Sequence, residues 1–404
     1  MIGTLDTRGD EIGFLRDLIT GAGRPVIVID AGVLGTPQVT ADITREQVAA
    51  AAGADLAALR RAALGGADRA LATEAMSRGG RRLAADLAAA GAIAAIIGLG
   101  GSTGTALCSS IMAGLPAGFP GLLLTTVPAL ARTGDAAIAV LESPVDLIGL
   151  NPIVSHALAQ AAHAVLGLAD APPVLRTGRP LVGITALGVT TPAAQHVLAA
   201  LAELGADGVV FHWRTGRLNQ LIGDGTIDAV IDLTAYEVMT LIDDPGDTSG
   251  DAPGVRPEAG RLAAARRRDV PWVTAPGGLD MHIIVTPDGA DGIPARLRGR
   301  PWSRHGPQIV LVRTDRADLS RAAQFLAGQL HGTRRSSVLI PGRGFSDADQ
   351  PGRPLYAPDT DHEFAGALRA GLGGAVSVTE VDCHINDPEF AAALVREYQR
   401  LSAS

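Results

Sequence analysis

The chain has 404 residues, 47% hydrophobic and 19% charged, which is too long for one ordinary core and suits two globular α/β domains. A net charge of −8 and 3% aromatic residues argue against a general polyanion surface and a base-stacking platform, so no nucleic-acid partner is expected. All 34 basic residues are arginine, which excludes a Walker-type P-loop, Schiff-base chemistry and a pyridoxal-phosphate anchor; bound phosphate must be held by arginine, backbone N–H groups, hydroxyls or a metal.

Ile2–Leu5 reads as a first strand, shorter than the usual five or six residues, so either the strand is unusually short or the chain starts further upstream. Phe14, Leu15, Leu18 and Ile19 recur at helical spacing before Gly21 and Gly23, and Val26–Ile29 is the next strand. Ala92–Ile97 and Leu122–Val127 are continuous apolar runs, as in strands buried on both faces of a parallel sheet. An Ala-rich helix spans Asn151–Gly167, and Ala171–Pro180 reads as a linker. The pattern then restarts with strands at Leu181–Thr185 and Gly208–Phe211 and a helix start at Thr191-Pro192. Ile227–Thr234 repeats the apolar pattern of Ile93–Gly100, and Trp272–Pro276 that of Thr125–Pro128, in the same order. Further strands are expected at Ile309–Val312, Val338–Ile340 and Val376–Val381, with a surface loop at Asp243–Gly260. The fold class is α/β: two doubly wound, Rossmann-like open parallel-sheet domains, residues 1–175 and 181–404, with a ligand cleft between them.

Cys108 and Cys383 suit a reducing, cytoplasmic compartment. No secretory leader is read, and the apolar stretch at Leu87–Leu99 is too short to span a bilayer, so no membrane partner is expected. The small side chains of the 151–167 and 84–90 helices suit close packing in a homodimer.

The polar clusters follow strands, where doubly wound sheets bind ligands. Gly100, Gly101, Ser102, Thr103, Gly104 and Thr105 join a buried strand to a helix, offering close backbone approach, free N–H groups and hydroxyls to a phosphate. The competing reading is a strand–helix turn that needs small residues. In the loop Thr4-Leu5-Asp6-Thr7-Arg8, Arg8 suits phosphate charge, and Asp6, or Asp10 with Glu11, suits Mg²⁺ held through water; the competing reading is helix capping, with Asp10 and Glu11 complementing the first turn. Asp30 is either an acceptor for a ribose hydroxyl or a plain turn residue. Asp387-Pro388 reads as a helix N-cap with proline at N1. His212, Asp280, Ser346, His384 and Asn386 follow strands of the second half and are the candidate catalytic set; a satisfied loop histidine and turn-capping residues are the alternatives.

Together, Thr4–Glu11, Val28–Val33, Gly100–Thr105, Gly149-Leu150-Asn151, Phe211-His212, Ala275–Met281, Pro341–Ser346 and His384–Phe390 resemble the Tm-one-like, tobamovirus-resistance-type ATP-binding family, whose bacterial members are catalogued as uncharacterised. The resemblance covers essentially the whole chain. It implies two α/β domains, with Thr4, Asp6, Thr7, Arg8 and the Gly100–Thr105 loop around the phosphates of ATP with Mg²⁺. It brings no established reaction; the small-molecule substrate or effector of an enzyme, or the effector of a regulatory protein without turnover, stays open. An ATP-independent hydrolase or lyase is the third reading. Two positions depart from the family pattern: Arg8 stands where lysine is usual, and Trp213–Arg217 replaces a Gly-rich stretch.

Overall fold

The computed structural model describes residues 1–64, 69–116, 118–131, 138–171, 177–243 and 261–403. These form two compact units, one running from Met1 up to the segment 172–176 and the other from there to the C-terminus. The expected linker lies partly outside the described residues, and the expected loop at Asp243–Gly260 lies outside them except for Asp243.

The first unit runs β1 (Ile2–Gly3), α1 (Gly9–Gly21), β2 (Ile29–Asp30), α2 (Arg45–Ala51), α3 (Leu56–Leu64), α4 (Arg69–Ala89), β3 (Ile96–Gly100), α5 (Ser102–Met112), β4 (Gly121–Thr125), β5 (Ile138–Glu142) and α6 (Pro152–Ala169). All strands are parallel, in the order β2-β1-β3-β4-β5. The strands β3 and β4 are buried at every residue, which explains their unalternated apolar runs. Helix α1 buries Ile12, Leu15 and Ile19 on one stripe. The first strand is indeed short, yet β1 pairs on both sides, Ile2 with Ile29 and with Gly98.

Asn151 caps α6 through Ile153 N–H and Val154 N–H, at 3.0 and 3.1 Å, with Pro152 following. This helix is long and apolar enough to cross a membrane by length and composition, but Val154, Leu158, Ala161 and Ala162 sit in the core of this unit. Ala157, Ala161 and Ala162 of α6 and Ala84 of α4 are therefore used inside the domain, while Ala89, Ala90 and Ala164 stay exposed.

The second unit runs β6 (Leu181–Ala186), α7 (Thr191–Glu203), β7 (Asp207–His212), α8 (Gly216–Gly223), β8 (Ala229–Asp232), α9 (Glu237–Asp243), α10 (Ala263–Arg268), β9 (Trp272–Thr274), β10 (Met281–Val285), β11 (Trp302–Gly306), β12 (Ile309–Arg313), α11 (Arg316–Leu330), β13 (Ser336–Pro341), α12 (Pro358–Leu372), β14 (Ser377–Val381) and α13 (Pro388–Ala403). Six parallel strands form the main sheet in the order β14-β13-β9-β8-β6-β7. The strand expected at Ile309–Val312 is not part of it: β12 lies between β10 and β11 in a separate antiparallel sheet. Leu311 packs into the main core of this unit while Val310 and Val312 pack against Ile293 and Leu297. Both faces are covered, so this antiparallel strand carries the unbroken apolar run of a parallel one.

Counted from its own first strand, each sheet places the second strand outside the first and the third on its other side. The strands β3 and β8 hold the same place in the two orders, as do β4 and β9, which is where the sequence repeats its apolar pattern. Chain direction across each sheet reverses between the first strand and the third. In such sheets the crevice for a ligand opens beyond the carboxyl ends of those two strands.

Candidate functional site

In the first unit those strands are β1 and β3, and their following loops are Thr4–Arg8 and the turn at Gly101. They line one cavity of about 400 Å³ together with residues 31–34 and α4. Thr4, Asp6, Thr7, Arg8, Gly101, Ser102, Thr103 and Gly104 all reach its wall. Gly101 occupies the N-cap of α5 with no side chain capping the helix, so the first-turn N–H groups face the cavity without a capping side chain. Arg8 stands next to this turn: a Cβ on Gly101 would lie 3.3 Å from its Nη2. The Arg8 guanidinium also pairs with the exposed Asp146 at 3.2 Å. The hydroxyls of Thr4 and Thr7 bond each other at 2.7 Å. Leu34, Ala63, Ala72 and Leu107 give the cavity an apolar side.

Three expected ligand residues stand behind the wall instead. Gly100 makes room for the helix turn, since a Cβ there would sit 2.4 Å from the Gly104 carbonyl carbon. Thr105 is fully buried and bonds the Gly100 carbonyl and the Thr125 hydroxyl. Asp30, 1% exposed, accepts from Leu5 N–H (3.2 Å), Gly32 N–H (2.8 Å) and Arg45 Nε (2.7 Å). With its oxygens so engaged it supports the loop and offers nothing to a ribose.

Arg45, which sequence reasoning missed, organises this support. It is buried, binds Asp30, and donates Nη1 to the Gly35 carbonyl at 2.7 Å, 3.9 Å from Asp6. Asp6 Oδ2 accepts from Leu34 N–H and Gly35 N–H at 3.1 and 2.7 Å, fastening the 31–35 segment as one side of the cavity. The only sequence signal is the capping box of Thr44 and Gln47, which puts the N-cap at Thr44 and makes Arg45 the first residue of α2.

In the second unit four of the five candidate residues join one chain of hydrogen bonds. Ser346 Oγ donates to Asp280 Oδ2 (2.6 Å), His384 Nε2 bonds the Ser346 carbonyl (2.9 Å), and Asn386 N–H donates to His384 Nδ1 (3.2 Å). Asn386 also donates to the Val189 carbonyl (3.0 Å) and accepts from Ala193 N–H at the start of α7 (3.2 Å). His212 is not part of this set. It ends β7 at one edge of the sheet, whereas His384 follows β14 at the other, and its ring lies against Trp213 at 5.7 Å.

The geometry also corrects the chemistry expected of this set. Asp280 and Ser346 are fully buried, and both ring nitrogens of His384 are engaged by backbone groups. These residues lock together the loops after β9, β13 and β14 and the start of α7. Asp280 belongs to a buried cluster with Asp349, Asp361 and Arg313; Arg313 bonds the Asp280 carbonyl and the Asp361 carboxylate. Burial, and then the neighbouring Asp349, push the Asp280 carboxyl up to about 7, and burial pushes Asp361 up to about 8. Asp387 does stand at the helix start, its carbonyl accepting from Phe390 N–H and Ala391 N–H, while its side chain accepts from His384 N–H at 2.7 Å.

The equivalent switch point of this unit, beyond β6 and β8, was not singled out from sequence. Asp232 there accepts from Thr185 and Thr274 at 2.8 Å each and pairs in two-pronged fashion with the buried Arg261. Among the described residues no group of three histidine, cysteine, aspartate or glutamate side chains could hold a metal ion on its own.

Fold and site thus define a two-domain α/β protein with an open, cation-lined crevice at the switch point of its first sheet. Residues 1–173 match the N-terminal domain, and residues 179–402 the C-terminal domain, of the family described as Uncharacterised protein family (UPF0261). The chain belongs to that family. It is 30% identical to the UPF0261 protein of Clostridium tetani over 407 residues, covering 98% of this chain and 97% of the relative. Against UPF0261 protein RA0729 of Rhizobium meliloti the identity is 31% over 418 residues, 100% of this chain and 98% of the relative. The ToMV resistance protein Tm-1(GCR237) of Solanum lycopersicum is 31% identical over 328 residues, 77% of this chain and 42% of that longer protein. The family resemblance read from the strand-end loops is thereby shown.

Proposed function

We propose that the first unit binds ATP with Mg²⁺ in the crevice between β1 and β3, as the nucleotide-binding step of an enzyme acting on a small metabolite. The observation that carries this reading is the convergence of Arg8 and the uncapped α5 N-terminus on one cavity with an apolar side. The α5 N–H groups, Ser102, Thr103 and Arg8 suit phosphates, and the apolar side suits a base. Asp6 is the one carboxylate on the wall. No hydrogen bond occupies its Oδ1, and a Cβ on Gly32 would crowd that oxygen at 2.8 Å. One carboxylate oxygen beside phosphates fits Mg²⁺, which keeps several waters and needs few protein ligands. Calorimetric titration of the purified chain with ATP, ADP and AMP, with and without Mg²⁺, tests the reading. ATP should bind more tightly with Mg²⁺, and Asp6→Asn, which keeps an oxygen to accept from Leu34 N–H and Gly35 N–H, should reduce the metal effect more than metal-free binding. Absence of heat with all three nucleotides at millimolar concentration would overturn it.

The same reading takes the protein to be a cytoplasmic homodimer. The free thiols Cys108 and Cys383 support the compartment, and the exposed Ile148, Leu150 and Ile153 at the start of α6 support self-association.

A further inference from the structure

A second hollow, of about 880 Å³, adjoins the first across α4 and α5. The two cavities share Arg69, Thr73, Ser102 and Thr103 as a common wall. A phosphate held at the α5 N-terminus therefore faces the second hollow. The character of that hollow differs from the first. Arg69, Arg78 and Arg81 line it with Ser77, against the single carboxylate of Glu74, which pairs with Arg78 at the surface. Arg81 is held in place rather than free: its Nε and Nη2 donate to the carbonyl and hydroxyl of Ser110, each at 3.1 Å. Its stem packs so closely on the turn after α5 that a Cβ on Gly114 would sit 2.1 Å from Arg81 Cγ. Arg69 has no acidic partner among the described residues. Three guanidiniums and hydroxyls offer nothing to a nucleobase that the apolar side of the first cavity does not offer better; they suit carboxylates or phosphates.

We propose that this hollow holds the second ligand of the protein, a small metabolite with carboxylate or phosphate groups, seated against the nucleotide's phosphates. The proposal rests on the nucleotide reading for its neighbour, but the hollow has its own cations and so its own test. The full-length chain, saturated with MgATP, is titrated calorimetrically with citrate and glutarate as carboxylate probes and with glycerol 3-phosphate as the phosphate probe. At least one should bind, and the class that binds names the charged group. Arg81→Gln should weaken that binding by about tenfold (~1.4 kcal/mol) while leaving ATP affinity unchanged. Arg78→Gln, a surface change that spares the fold, should weaken it in the same sense. Binding of an acid that neither variant weakens, or that ATP displaces, would overturn the proposal, as would absence of heat from all three probes. If ATP does not bind but an acid binds and is lost in Arg78→Gln, the anion hollow stands and the nucleotide reading falls.

Discussion

Arg8 and Arg45 carry similar charge to opposite ends. Arg8 is partly exposed on the cavity wall, and Arg8→Gln should weaken ATP binding by about tenfold with little change in stability. Arg45 is buried between Asp30 and Asp6, and Arg45→Met should cost roughly 3–5 kcal/mol, because it leaves two buried carboxylates without their cation. Chemical denaturation separates the two: equal stability losses in both variants would contradict the assignment. In the second unit, Asn386→Ala removes the partners of Ala193 N–H and the Val189 carbonyl and should cost about 1–3 kcal/mol while ATP affinity holds. The loop residues were legible in the sequence because polar and glycine side chains break apolar strand runs. Burial was not: Arg45 opens a helix and reads as solvated, Ser346 and His384 look reactive until their hydrogen bonds are seen to be spent on Asp280 and on backbone, and Asp280 is fully buried with only its Oδ2 hydrogen-bonded.

At the scale of elements, the clusters of the second unit make its stability depend on pH. Asp280 and Asp361 have carboxyls raised to about 7 and about 8, so the native state keeps protons that the unfolded chain has lost. Stability of this unit should therefore fall as pH rises from about 4 to about 8. His282, between Asp243 and Asp318 at 3.0 Å each, is raised as well and contributes in the same direction from its ordinary range upward. Asp318 acts oppositely, but only below the usual carboxylate range, where its depressed titration lies. Thermal unfolding of the chain across this interval should show the decline, with Asp361→Asn flattening it; a midpoint that rises with pH would contradict it. Strand pairing was the part of element structure that sequence could not supply. β12 reads as one more strand of the main sheet, yet its partners β10 and β11 are fixed by Ile293 and Leu297 covering its second face.

For the whole molecule, light scattering should give twice the 41.2 kDa chain mass, and Ile153→Asp should reduce it to one. A single-chain mass for the unaltered protein at micromolar concentration would remove the dimer. The repeated strand order was partly legible, since Ile227–Thr234 echoes Ile93–Gly100, but the same order does not give the two units the same use. The first leaves its switch point open at Arg8 and the α5 N-terminus, whereas the second closes its own with Asp232 and Arg261. Hydrogen–deuterium exchange on the full chain with and without MgATP tests this difference most directly. Exchange should slow at Thr4–Arg8 and Gly101–Thr105, with the loops after β9, β13 and β14 unchanged. Slowed exchange confined to those loops of the second unit would contradict it.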